Sequence, residues 1–504
     1  MEKRLILAIA LSLLILLSWS TWVSKTYHIE NKEVIKEAPP AVLTALAQIT
    51  QAAPEPEILP ASFFPFAQEK YTITFSEPQA AIKEIIFQDY QSYKFPLEHG
   101  FRLTQNNWVF KQSRVSRDEV VFLYRDQEKE VSKKFLFHNS SYNIDLEIKI
   151  RNLSSAAIKT NLTLSFAGMN FSGDQNRVRF QDVTLAGKDG VQHSNGRQEL
   201  ALPEIKFLGF RDKYFCAIIE PLSDRYSAWI TKLNPKESEI GLTSQELTLA
   251  PAEIKEQKFR IYLGPQDLQL MQRINPEWSS IVHYGTFNFI AHILRQLLEF
   301  LFRLVHNWGW TIIIFSLLIY LVLYPLTLKQ MRSMKEMQSL QPQIEELRKT
   351  YKDNPQKLNK EIMELYRQHR VNPFGGCLPM ILQIPIFFAL YQVLMRSVAL
   401  KGAHFLWIKD LSEPDRLLTL PRQLPVIGNE INILPIVMGI GMFFQQKISQ
   451  AAGTGSTEQQ KIMTIMFPLM FGFIFYHMPS GLVLYWFINS AMMLFYQLRI
   501  NRKK

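Results

Sequence analysis

Cysteine is scarce in this 504-residue chain: Cys216 and Cys377 are the only two, too few for a thiolate metal site. Cys216 lies in mixed polar sequence and Cys377 in an apolar run, so no disulfide between them is expected. Catalytic signatures are missing as well. There is no H-E-x-x-H pair, no G-x-S-x-G elbow and no glycine-rich phosphate loop, and His99, His138 and His193 stand apart in the sequence. The third absence is of charge at depth. Six apolar runs (5–23, 310–328, 374–395, 431–446, 462–476 and 482–498) contain no Asp, Glu, Lys or Arg, and Arg396 and His477 fall at run ends. A proton-coupled pump or an intramembrane aspartyl protease requires ionisable groups inside the membrane, so both lose their chemical basis.

What the chain does contain is apolar length. Residues 310–328 and 374–395 can each cross a hydrocarbon core of about 30 Å at about 1.5 Å per residue. Between them, residues 329–372 carry ten basic residues against six acidic ones, which orients this loop to the cytoplasm. Run 5–23 follows Lys3 and Arg4 and is either a cleaved leader or a retained anchor. Its length exceeds that of a secretory apolar region and favours the anchor. Counting six spans from a cytoplasmic Lys3 brings Arg499, Arg502, Lys503 and Lys504 back to the cytoplasm, where basic residues belong. The formal net charge of +11 therefore reads as membrane orientation and anionic-lipid contact before nucleic acid.

The expected fold is an α-helical polytopic membrane protein of six spans with a large β-sandwich insert on the far side of the membrane. Residues 1–24 form the anchor, and the proline-rich stretch 25–65 reads as a disordered tether. Residues 66–280 hold short alternating runs such as Tyr71-Thr72-Ile73-Thr74-Phe75, bounded by turn residues, and predict the sandwich. Scattered carboxylates for sugar binding remain an open alternative to a docking role. Residues 284–306 place apolar side chains at helical spacing with His292, Arg295, Gln296, Glu299 and Arg303 opposite. That pattern predicts an amphipathic helix at the outer membrane interface or against the sandwich. Residues 307–504 hold five spans, with the charged loop 329–372 as a hairpin.

Within these spans polarity is neutral. Ser316, Tyr320, Tyr324 and Thr327 follow i, i+4, i+8 and i+11, one stripe on one helix face, and Tyr485, Asn489 and Tyr496 repeat part of that spacing. Tyr320, Gln383 and Asn489 all fall about 12–15 Å below their span ends. The groups either bond one another between packed helices or line a hydrated groove.

Several blocks in order resemble the YidC/Oxa/Alb family of membrane protein insertases: Asn307-Trp308-Gly309, Tyr324-Pro325-Leu326-Thr327, Asn372-Pro373 through Pro379, Gln383-Ile384-Pro385-Ile386-Phe387 and Pro479-Ser480-Gly481-Leu482-Val483-Leu484-Tyr485. The resemblance covers residues 300–504; the anchor and sandwich match the architecture of Gram-negative members. It implies a chaperone-like insertase of the bacterial inner membrane, with a periplasmic sandwich and a cytoplasmic hairpin turning near Lys352-Asp353-Asn354-Pro355. It also implies a groove open to cytoplasm and lipid, lined here by Ser316, Tyr320, Tyr324, Thr327, Gln383, Tyr485, Trp486 and Asn489. The implied partners are nascent membrane proteins, ribosome–nascent chain complexes, the Sec translocon and membrane lipids, with no catalytic residue, cofactor, metal or specific nucleic acid. One position departs: Tyr320 stands where the family typically carries a groove arginine, so attraction of acidic segments by a fixed cation is in doubt. A channel, a transporter and a membrane-anchored sugar-active protein are the competing classes. A transporter should show inverted repeats, and none is visible.

Overall fold

The structure is a computed structural model that describes residues 62–104, 108–173, 175–352, 354–369, 371, 378–424, 428–451 and 458–501. The expected anchor, most of the expected tether, the sequence block from Asn372 to Cys377 and residues 452–457 lie outside them.

The amino-terminal half is built of strands. Alternation is clearest in Asn143–Asn152, where Ile144, Leu146, Ile148 and Ile150 are buried and the intervening residues face outward. This strand lies inside a nine-stranded antiparallel sheet, and a five-stranded and a four-stranded sheet share its hydrophobic core. Rings dominate that core: Phe87 stacks on Phe215 at 4.0 Å, and Phe75 meets Phe122 and Phe135 at 5.6 and 5.2 Å. Lys133 is also buried there, its ammonium donating to the carbonyls of Ala80 and Phe101. Burial pushes its pKa well below the ordinary lysine value.

The first strand, Phe63–Ala67, corrects the tether boundary, because its first three residues fall within the stretch expected to be disordered. Among the described residues it pairs with Tyr71–Ser76 alone, at the sheet edge, the kind of strand position that accommodates Pro65.

Eight longer helices follow among the described residues. Helix α1 (Asn288–Val305) buries Ala291, Leu294, Leu298 and Leu301 and leaves Phe289, Ile293, Phe300 and Leu304 exposed. It packs on α2 (Trp308–Ser339) and on α5 (Leu378–Arg396), so its buried face belongs to the helical half and not to the sheets. Helix α2 continues well past the expected span end at 328, through Pro325. The charged loop is a helical hairpin of α3 (Gln341–Thr350) and α4 (Pro355–Gln368), with Pro342 in the first turn of one arm and Pro355 in that of the other. Asn354 Oδ1 accepts from the Lys357 amide and caps α4. Leu340, Ile344 and Val371 form a small separate core beneath this hairpin.

Helices α6 (Ile433–Ala451), α7 (Glu458–Tyr476) and α8 (Ser480–Asn501) complete the bundle, α8 touching α2, α5 and α6. Pro385 and Pro468 lie inside α5 and α7, each removing one backbone hydrogen bond. Among the described residues, 308–337 and 480–499 are long and apolar enough to cross a membrane, and 433–448 and 464–476 are shorter apolar helices.

Candidate functional site

One end of the bundle lies next to the β domain, where Arg396 at the end of α5 donates to the His283 carbonyl. Residues 398–424 and 428–432 cover this end, and their backbone and carboxylates take up the free amides of two helix starts. Asp415 Oδ2 accepts from the amides of Ile433 and Leu434 at 2.9 and 3.0 Å and from Trp407 Nε1 at 3.2 Å. The Ser480 and Gly481 amides donate to the carbonyls of Glu413 and Leu411 at 2.8 and 2.9 Å, fixing the start of α8. Lys401 bridges Asp410 and Glu413, each at 3.3 Å, and Tyr476 Oη donates to the Glu430 carbonyl at 2.7 Å. Asp415→Ala is expected to destabilise the protein by about 1–3 kcal/mol, because three donors lose one acceptor. The thermal midpoint of purified protein in detergent measures this, and an unchanged midpoint would show that the cap contributes nothing.

Two of the sequence blocks acquire a packing reason here. Asn307 Oδ1 accepts from the Trp310 amide at the start of α2, Trp308 stacks on Phe302 at 4.2 Å, and Gly309 lies against the Phe405 ring. Gly481 lets α8 approach the Leu411 carbonyl. The plug itself, including the strands Leu418–Leu424 and Gly428–Ile431, lies between the apolar runs 374–395 and 431–446, in sequence without a helical or alternating period.

Away from the plug the neutral polar groups form two sets. Tyr485 lies near the side chains of Gln383 and Asn489, joining α5 to α8, while its own hydroxyl meets no hydrogen-bond partner among the described residues. Tyr320 packs on Tyr324 with ring centroids 6.2 Å apart, and Tyr324 meets Tyr496 edge-on at 5.5 Å, joining α2 to α8. The Tyr320 hydroxyl is likewise buried without a partner among the described residues. Ser316, Thr327 and Asn489 donate to carbonyls four residues back on their own helices, at 2.6, 3.1 and 3.0 Å. Trp486 stands apart from both sets, packed among Phe387, Phe471 and Phe475. Gln497, whose Oε1 is also buried and unpartnered among the described residues, belongs to the same helix and escaped the spacing rule.

In the β domain one group of titratable side chains converges: Asp182, His193 and His283, with donor atoms within 4.8 Å of one another. Burial raises the Asp182 pKa, but the hydrogen bond from His193 and the charge of Arg211 outweigh it and hold the carboxyl below its ordinary range. Burial and then the Arg211 guanidinium push His283 down to about 2, so it is neutral. Arg211 lies 3.7 Å from Asp182 and 2.9 Å from His283 Nδ1. Its fixed cation already balances the one carboxylate, and a second cation would meet repulsion at close range. Arg211 and Arg396 both donate to the His283 carbonyl, at 3.1 and 3.3 Å, so this group ties the β domain to the end of α5.

A β domain joined to a bundle of long apolar helices defines a polytopic membrane protein with a large domain outside the membrane. Comparison with known proteins makes this specific. A family described as 60Kd inner membrane protein matches residues 300–504, and the YidC periplasmic domain family matches residues 88–297. A membrane protein insertase YidC of Syntrophobacter fumaroxidans is 36% identical over 74% of this chain and 68% of its own. That of Pelobacter propionicus is 30% identical over 100% of this chain and 99% of its own. Among solved structures, an active YidC insertase covers 90% of this chain and 97% of its own at 19% identity and a TM-score of 0.42. A galactose mutarotase-like protein from Lactobacillus casei covers 40% of this chain and 100% of its own at 10% identity and a TM-score of 0.30. The chain belongs to the YidC family of membrane protein insertases. It is an inner-membrane protein with a periplasmic domain that inserts nascent membrane proteins, and it is not an enzyme.

Proposed function

We propose that the recess between α2, α5 and α8 receives the hydrophobic segment of a nascent inner-membrane protein and releases it sideways into the bilayer. Ser316, Tyr320, Tyr324, Thr327, Gln383, Tyr485, Trp486 and Asn489 are its lining, the first four on α2, and Trp486 supplies an aromatic wall. The observation that carries this reading is the pair of buried hydroxyls of Tyr320 and Tyr485, unpartnered among the described residues. Left dry, each would cost about 1–3 kcal/mol, so water or a polar stretch of client is their natural partner. A hydrated recess shortens the hydrocarbon barrier to a polar segment, and burial of about 20 apolar residues in lipid then drives release.

In this reading six spans place both termini in the cytoplasm, with residues 1–24 as anchor, 25–62 as tether, 63–280 as periplasmic domain and 284–306 at the outer interface. The core occupies 307–504, and its hairpin at 329–372 meets ribosome–nascent chain complexes. The plug over the outer end leaves cytoplasm and lipid as the routes in and out, whether the protein works alone or beside the Sec translocon. No cofactor is required.

Labelling tests the hydration directly. With Cys377 replaced, Tyr320→Cys in whole membranes is expected to react with a water-soluble thiol reagent supplied from the cytoplasmic side. Cys216 is buried in the β domain and serves as the unreactive background. An unlabelled but folded and active Tyr320→Cys protein rejects a hydrated recess at this depth.

A further inference from the structure

Arg179, Lys213 and Arg396 surround a single ring, Phe180, at 4.7, 5.9 and 5.4 Å from its centroid. They come from three parts of the chain: Arg179 follows the short helix Gln175–Val178, Lys213 lies in the turn after Ile205–Arg211, and Arg396 ends α5. Among the described residues none of the three has a carboxylate oxygen within ion-pair distance. The acids that Lys213 senses, Glu413 and Asp410, are each held at 3.3 Å by Lys401. Burial, with the charges of Lys401 and Arg179 added, draws the Lys213 pKa below the ordinary lysine value despite those acids. Three cations gathered around one ring repel one another, and the ring offsets only part of that cost. An anion completes such a site.

Its position says which anion. Arg179 donates to the Tyr391 hydroxyl in the last turns of α5, the helix end that lies beside the plug. Helix α1, packed on α5, turns Phe289, Phe300 and Leu304 outward at 78%, 57% and 65% exposure, and Trp310 at the head of α2 is 53% exposed. Exposed apolar and indole side chains next to a bundle end mark the depth of lipid headgroups. We propose that Arg179, Lys213 and Arg396 bind the phosphodiester of an anionic phospholipid of the outer leaflet, its acyl chains lying along the exposed face of α1. The bound lipid bridges the β domain and the membrane core at the joint that Arg211, Arg396 and His283 begin. This rests on the proposed placement of the plug end at the outer interface, and it is read by lipid binding instead of insertion, so the two fail separately.

The test uses the full chain in phosphatidylcholine nanodiscs, with phosphatidylglycerol titrated in and retained lipid counted by native mass spectrometry. The triple variant Arg179→Gln, Lys213→Gln, Arg396→Gln is expected to lose phosphatidylglycerol affinity by roughly fivefold per charge, about a hundredfold in all, with phosphatidylcholine retention unchanged. Arg179→Lys with Arg396→Lys should keep the preference. A folded triple variant that retains phosphatidylglycerol like the parent overturns the proposal. Displacement of the lipid by millimolar inorganic phosphate overturns it too, because the site would then be one for a free anion. Should the triple variant not fold, the exposed Arg179→Gln alone is expected to weaken binding about fivefold, and no change there is equally fatal.

Discussion

Gly309→Ala is expected to destabilise the protein although alanine ordinarily stabilises a helix by about 0.5–1 kcal/mol relative to glycine. A Cβ at this position would stand 2.0 Å from both Cγ and Cδ2 of Phe405 and 2.6 Å from its Cβ, far inside the roughly 3.5–4.0 Å of a favourable carbon contact. Phe405 has little room to yield. Its backbone bonds with Ile408 in both directions, at 2.9 and 2.8 Å, its side chain is buried, and Trp310 meets it edge-on at 5.7 Å. Overpacking of this kind costs about 1–3 kcal/mol, and Gly309→Val should exceed that range. The sign is the discriminating feature. Phe405→Ala should be destabilising alone and yet restore part of the loss in the Gly309→Ala background, giving a coupling that thermal melts of the four proteins measure. Simple additivity, or a Gly309→Ala protein more stable than its parent, would show that the plug does not rest on the head of α2 as described.

The second large effect concerns the recess. Tyr320→Leu combined with Gln383→Leu and Asn489→Leu removes one polar group from each of α2, α5 and α8, and insertion of a small inner-membrane client should slow by at least about tenfold, equivalent to about 1.4 kcal/mol of barrier. Tyr320→Arg tests the same idea from the opposite direction. A charge at the centre of a dry span costs about 2.5–3.5 kcal/mol, whereas a hydrated recess solvates it, so this variant should fold and insert near the parental rate. Protease protection of the client in depleted cells follows both. The reverse pattern, an unstable Tyr320→Arg and an active apolar triple, identifies the tyrosines as dry packing residues.

Legibility followed the range of the interactions involved. Alternation along Asn143–Asn152 and the amphipathic spacing of α1 are local patterns, and each produced the element expected of it. The edge strand Phe63–Ala67 was not legible, because Pro60 and Pro65 signal irregular chain unless a sheet edge is known to be available. The stripe of Ser316, Tyr320, Tyr324 and Thr327 was readable as one helix face, but which members turn their hydroxyls to their own backbone was not. That depends on rotamers chosen in the packed bundle, where Ser316 and Thr327 donate to the carbonyls of Ile312 and Leu323.

By itself the sequence determined that this is a membrane protein with a large β-rich insert: apolar runs free of charge, basic residues gathered between them and alternating short runs are properties of composition and period. Tertiary structure alone decided the plug and the joint. Phe405 meets Gly309, Asp415 meets the start of α6, and Arg396 meets His283 and Phe180 across long stretches of chain. Such contacts have no period, because their geometry is set by where whole helices and sheets dock and not by the spacing of residues along either one.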